Sequence, residues 1–202
     1  MKFQEIKAPY FEKKDIYKQA DAFRKKYWTD EIPVYVEKIC EFALGIQVIP
    51  FDNLRVNHDT EALICHSFKH IFIDSKLYMD DRQLNRLRFS IAHEIGHLVL
   101  HKDILKKYNL ETIDDYIRWF SALSEKQYSL FEMHANEFAG RLLVPHNKFI
   151  EFYNSLKQNG NWLVQAQNNF SLARTFGVSQ EVIERRILHD ENIKTFLGSL
   201  NI

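Results

Sequence analysis

Apolar positions along the chain recur at two different periods, and the order of those runs sets the expected architecture. Ile16, Ala20, Phe23 and Tyr27 recur at helical spacing, which predicts a helix over Asp15–Trp28. A second helix is expected from Pro33, a residue suited to a first helical turn, through Leu44, with Gly45 closing it. Ile46 to Pro50 then reads as a short strand. Glu61–Phe68 and Lys69–Asp74 follow as two more, the last containing the β-forming run HIFID. A polar stretch, Ser75–Arg82, leads into a long helix from about Gln83 to His101. The rhythm weakens between Lys102 and Tyr128, although TIDDYIRWFSAL suits a helix of its own. A helix from Ser129 to Val144 stops at Pro145, and the remainder alternates helical runs with turns at Asn159-Gly160 and Gly177.

Helices, a small sheet, then helices again predict an α+β fold. At 202 residues one domain fits, and Pro145 suggests a core over 1–145 with a helical part, 146–202, packed on it. An apolar fraction of 46% and an aromatic fraction of 14% supply a packed core and exclude a disordered chain. The 27 basic residues balance 27 acidic ones, which argues against broad electrostatic binding of nucleic acid. Cys40 and Cys65 lack metal-ligand spacing and read as reduced thiols. The polar start and the lack of a long apolar run predict neither an export signal nor a membrane span, so a cytoplasmic location is expected.

Chemistry concentrates in RFSIAHEIGHLVLH, residues 88–101, which contains the HExxH pattern His93-Glu94-Ile95-Gly96-His97. Residues four apart share one face of a helix, so two imidazoles at that spacing can reach one Zn²⁺. Glu94 follows the first of them and can act as general base toward water held by the metal. Catalytic zinc takes three protein ligands, and Glu132 on the downstream helix completes a His₂Glu set. Asn136, one turn after Glu132, is placed to bond the far nitrogen of a ligand histidine. Gly96 in mid-helix predicts close approach by another backbone.

The pair of signatures RFSIAHEIGHLVLH and ExxANxFAxxLLVP resembles the ImmA/IrrE family of zinc metallopeptidases. Looser matches are IPVYVEKICEFALGI, HIFID and LARTFGVSQEVIERRI, so the resemblance covers about residues 15–190. It implies a compact zincin-like core with a small, mainly antiparallel sheet. It also implies His93, His97 and Glu132 as zinc ligands and Glu94 as the catalytic acid/base. The substrate class it implies is a helix-turn-helix transcriptional repressor. The alternative is a zinc-containing regulatory protein that grips a repressor or toxin-like partner without cutting it.

The remaining signals receive plainer readings. His134 replaces a glutamate common at that place and is expected to face the surface. His101 is read as a histidine near a helix C-terminus, outside the ligand set. The 103–127 stretch is expected to cap the cleft, and the HIFID strand to flank it as an edge. Residues 170–188 have a helix-turn-helix rhythm. Packing on the core is preferred for them over phosphate contacts from Arg174, Arg185 and Arg186.

Overall fold

The computed structural model describes residues 6–65, 67–108, 110, 112–158 and 165–199. Helix α1 (Lys13–Tyr27) buries Ile16, Ala20 and Phe23 of the stripe that the spacing predicts, with Tyr17 and Arg24 beside them, and leaves Tyr27 half-buried. Helix α2 (Val36–Lys38) continues as a π-helical turn over Ile39–Leu44 and ends at Gly45, whose φ of 63° is left-handed. Pro33 therefore lies ahead of the helix instead of in its first turn. It packs against Gly177, where an added Cβ would meet the Pro33 ring at 3.1 Å, so a tertiary contact decides its place.

Strand β1 (Gln47–Phe51) is followed by the short helix α3 (Leu54–His58), by β2 (Ala62–Ile64) and by β3 (His70–Asp74). The last two are shorter than the apolar runs predict, because the chain reverses between them through Phe68 at φ 56°. The sheet order is β1-β3-β2, with β1 parallel and β2 antiparallel to the central β3. The expected mainly antiparallel sheet is thus mixed within an α+β fold. The connection from β1 to β3 carries α3 and β2, and a crossover of that kind is what parallel pairing requires.

Asp74 caps α4 (Ser75–Tyr78) by accepting the Lys76 N–H, and a long helix, α5 (Leu84–Leu105), follows one 3₁₀ turn later. Helix α6 (Ile113–Ser121) opens on a capping box between Thr112 and Asp115. Helix α7 (Glu125–Leu143) begins a turn earlier than its apolar stripe predicts, because the Ser124 hydroxyl accepts the Gln127 N–H. Helices α8 (His146–Gln158), α9 (Gln165–Phe176), α10 (Gln180–His189) and α11 (Glu191–Gly198) complete the chain. The turn expected at Asn159-Gly160 lies outside the described residues.

One hydrophobic cluster runs from Ile16 on α1 through Ile91, Phe138 and Phe149 to Ile193 on α11. A second, holding Leu63, Leu105, Tyr116, Trp119 and Phe131, seats α6 over the end of the sheet. Beside the first, Arg141 binds both carboxylate oxygens of Asp21 at 2.8 and 2.6 Å and reaches Asp190 at 3.2 Å. Arg186 also pairs with Asp190, so this arginine of the helix-turn-helix rhythm is buried against the core. Among the described residues no helix is long and apolar enough to cross a membrane.

Candidate metal centre

The site is built where α5 and α7 cross. An added Cβ on Gly96 would lie 3.0 Å from Ala135 Cα, so the two backbones touch at this point, as a mid-helix glycine predicts. On the α5 side Ile91, Ala92 and Ile95 are buried, which fixes the rotation of the helix and turns His93 and His97 to one place. On the α7 side Ala135, Phe138 and Ala139 are buried, and Glu132 projects toward the two histidines.

The three donor side chains converge. His93 Nε2 and His97 Nε2 are 3.0 Å apart, and Glu132 carboxylate oxygens stand 3.3 and 3.5 Å from them. Ligands set tetrahedrally around Zn²⁺ at about 2.0–2.1 Å are about 3.3 Å from one another, so the observed separations fit. Among the described residues this trio is the one cluster of its kind, with ligand atoms within 4.8 Å.

Proton placement supports the same fit. His93 Nδ1 lies 3.0 Å from Asn136 Oδ1, the bond expected from the spacing of Asn136. With the proton on Nδ1, a neutral His93 turns a bare Nε2 lone pair toward the other ring. His97 Nδ1 is 2.9 Å from His101 Nδ1, and His101 Nε2 is 3.3 Å from His134 Nδ1. When each ring donates to the next along that chain, His97 also keeps a bare Nε2, the tautomer that metal binding at Nε2 selects. Two lone pairs and a carboxylate facing one point are a poor arrangement without a cation between them.

With a proton on Nε2 in place of a cation, the same carboxylate binds the rings directly. Burial opposes charge on His93, but the Glu132 hydrogen bond and the Glu94 and Glu132 charges outweigh it and raise its pKa. Burial would likewise favour the neutral form of Glu132, yet in that state the hydrogen bonds from His93 and His97 hold it well below the usual carboxylate range.

His101 and His134 correct two sequence readings. His134 is buried, at 1% exposure, because α7 is covered on this side by Phe11, whose ring meets it edge-on at 5.3 Å. Helix α5 runs a full turn past His101, so that residue is interior to the helix rather than at its C-terminus. Burial and the adjacent His97 push His101 far below the ordinary histidine range, and burial lowers His134 as well.

Glu94 is buried beside the trio, and its Oε2 accepts the backbone N–H of Ile64 at 2.8 Å. His93, Glu94, His97 and Glu132 share a cavity of about 500 Å³ with Leu63, Tyr116 and Tyr128. The strand beside it is β2, not the HIFID strand, since β3 is paired on both edges. The 103–127 stretch covers the cavity through α6, and Phe120 stands edge-on to the His97 ring at 6.2 Å. Sequence reasoning missed Ile64 and Tyr116. The second had a signal, since Tyr116 and Phe120 are four apart on an amphipathic segment.

No curated protein sequence matches the chain. Among solved structures, one described as a Mycobacterium tuberculosis transcriptional regulator aligns over 86% of this chain, with a TM-score of 0.54 and 20% identity. This chain spans 55% of that longer one, and a likeness at such identity speaks for the fold alone. The model of the Peptidase_M78 family, the IrrE N-terminal-like domain, matches residues 43–188, a stretch that contains β1, the α5–α7 crossing and both donor-bearing helices. The chain belongs to the Peptidase_M78 family.

Proposed function

We propose that this protein is a zinc-dependent endopeptidase in which His93, His97 and Glu132 hold the metal and Glu94 is the general base. The observation that carries the reading is the convergence of two imidazole nitrogens and a carboxylate, with Glu94 in the same cavity. When bound, Zn²⁺ supplies a Lewis acid that polarises a carbonyl and makes water a stronger nucleophile.

The chain's own groups do the rest. Asn136 and His101 hold the two histidines with Nε2 toward the metal. The Ile64 N–H fixes Oε2 of Glu94, leaving Oε1 to take a proton from the attacking water and deliver it to the leaving amide nitrogen. Edge strand β2 supports binding of the substrate in extended form. Glu61 and Cys65 bond β3, so alternation turns Ala62 and Ile64 outward; with the Ile64 N–H held by Glu94, the Ala62 N–H and the Ile64 carbonyl are the groups a peptide backbone can pair with.

For the substrate we infer a helix-turn-helix repressor encoded beside this protein. The family membership supports that choice. The cover formed by α6 supports a restricted substrate range. The second reading, a zinc protein that grips its partner uncut, is separated by one experiment. Wild type and Glu94→Gln are each co-expressed with the neighbouring gene product, and fragments are identified by mass spectrometry. Glu94→Gln keeps the size of the side chain and the Ile64 contact but cannot take the proton. It is expected to retain metal and fold and to lose cleavage by orders of magnitude. Tight binding without cleavage by both proteins favours gripping, and full activity of Glu94→Gln assigns the base elsewhere. Glu132→Ala is expected to lose stoichiometric zinc.

A further inference from the structure

Water attack on a peptide carbonyl forms a C–O bond and moves the π electron pair onto the carbonyl oxygen. A hydrogen-bond donor held in advance where that charge develops accelerates the step. Beyond the histidine pair and Glu94, the cavity offers side-chain donors at His58, Thr60, Tyr116, Ser121 and Tyr128.

Tyr116 differs from the others in three respects. It is buried, at 2% exposure, with its ring against Phe120 and Trp119 at centroid distances of 5.4 and 6.3 Å. Because Phe120 abuts the His97 ring, α6 fixes Tyr116 relative to the metal-binding side chains. Its hydroxyl makes no hydrogen bond among the described residues, although it belongs to the cavity wall. A buried tyrosine hydroxyl ordinarily has a partner, so this one faces a place that a ligand can fill. Finally, burial first, and then the charge of Glu94, raise its pKa well above the ordinary value, which keeps the proton on the oxygen. By contrast Thr60 already donates to the Ala62 carbonyl, and Tyr128 is 46% exposed.

We propose that the Tyr116 hydroxyl donates a hydrogen bond to the scissile carbonyl oxygen during water attack. The helix that covers the cleft thereby contributes a catalytic residue. The inference rests on the peptidase reading. In the step, the water proton passes to Glu94 Oε1, the oxyanion accepts from Tyr116 without proton transfer, and the proton on Glu94 leaves with the amide nitrogen as C–N breaks.

Tyr116→Phe keeps the ring in its cluster and removes one oxygen. Steady-state cleavage is measured on the neighbouring repressor and on a proteome-derived peptide library. Zinc content and thermal midpoint are measured on the same samples. The expected result is a kcat lower by about 10²–10³-fold, with KM, zinc and thermal midpoint unchanged. A phosphinic peptide built on the cleavage sequence, which carries the tetrahedral oxygens, is expected to bind Tyr116→Phe about 100-fold more weakly than wild type. The uncleaved peptide should bind Glu94→Gln and the Glu94→Gln/Tyr116→Phe double variant equally. Wild-type kcat in Tyr116→Phe, the same loss in Tyr128→Phe alone, or equal phosphinic affinity overturns the assignment. If wild type cleaves neither the repressor nor any library peptide, the peptidase reading falls and this inference with it.

Discussion

Gly96 is where one hydrogen atom decides the distance between the two donor-bearing helices. Alanine there gains about 1 kcal/mol of helix propensity. It also brings a Cβ to 3.0 Å from the Ala135 backbone, tighter than nine in ten real Cβ contacts and against main chain that cannot swing aside. Overpacking of that kind costs about 1–3 kcal/mol, so Gly96→Ala is expected to lower stability overall, read as a lower urea midpoint. A midpoint equal to or above wild type would show that α5 and α7 can part without penalty. His101 acts one contact further from the proposed metal. In the tautomer that metal binding at His97 Nε2 selects, its ring accepts from His97 Nδ1 at 2.9 Å and donates to His134. His101→Phe fills much of the same volume but cannot accept that proton. Zinc affinity in chelator competition is expected to fall about 10–100-fold, as with other partners of metal-bound histidines. An unchanged affinity would mean that packing alone orients His97.

Helix α6 has its own core, in which Trp119 is fully buried against Tyr108, Phe120 and Phe131. Trp119→Ala removes that anchor at a cost of about 3–5 kcal/mol. Because α6 belongs to the second cluster and the donor trio sits on α5 and α7, the loss should appear first as local opening. Amide exchange over 112–123 is expected to accelerate while stoichiometric zinc is kept. Exchange that quickens equally throughout α5 and α7 would show that the cover and the centre unfold as one unit. The sheet makes a similar point about elements. HIFID has the strongest β-formers and is the central strand, paired on both edges. The weaker ALI run is left as the edge beside Glu94.

Across the molecule, Asp190 joins segments far apart in the chain. Its buried carboxylate receives Arg141 from α7 and Arg186 from α10, and accepts the Asn192 and Ile193 N–H groups at the start of α11. Arg141 carries the link on to Asp21 of α1. Asp190→Ala strands Arg186 in the interior, while Arg141 keeps Asp21, at a cost of about 3–5 kcal/mol. Global denaturation by urea is the suitable measurement, and a change under 1 kcal/mol would class the pair with surface ion pairs.

The local pattern by itself picked out the two helices that cross at the candidate site, the residues His93, Glu94, His97 and Glu132 that the fold brings to one cavity, and the contacts of Gly96 and Asn136. The reason is geometric. Four-residue spacing puts groups on one helix face, and a glycine within an apolar helix leaves room for one partner. Tertiary structure decided what spacing leaves open. His134 followed the rule that most polar helix residues face water until Phe11 and His101 covered it. Strand order depends on which edges are paired, and alternation along one strand carries no information about that. The Ile64 amide that holds Glu94 and the hydroxyl that Tyr116 brings to the cavity come from segments 30 and 22 positions away from Glu94. Only the packing of β2 and α6 against α5 places them there.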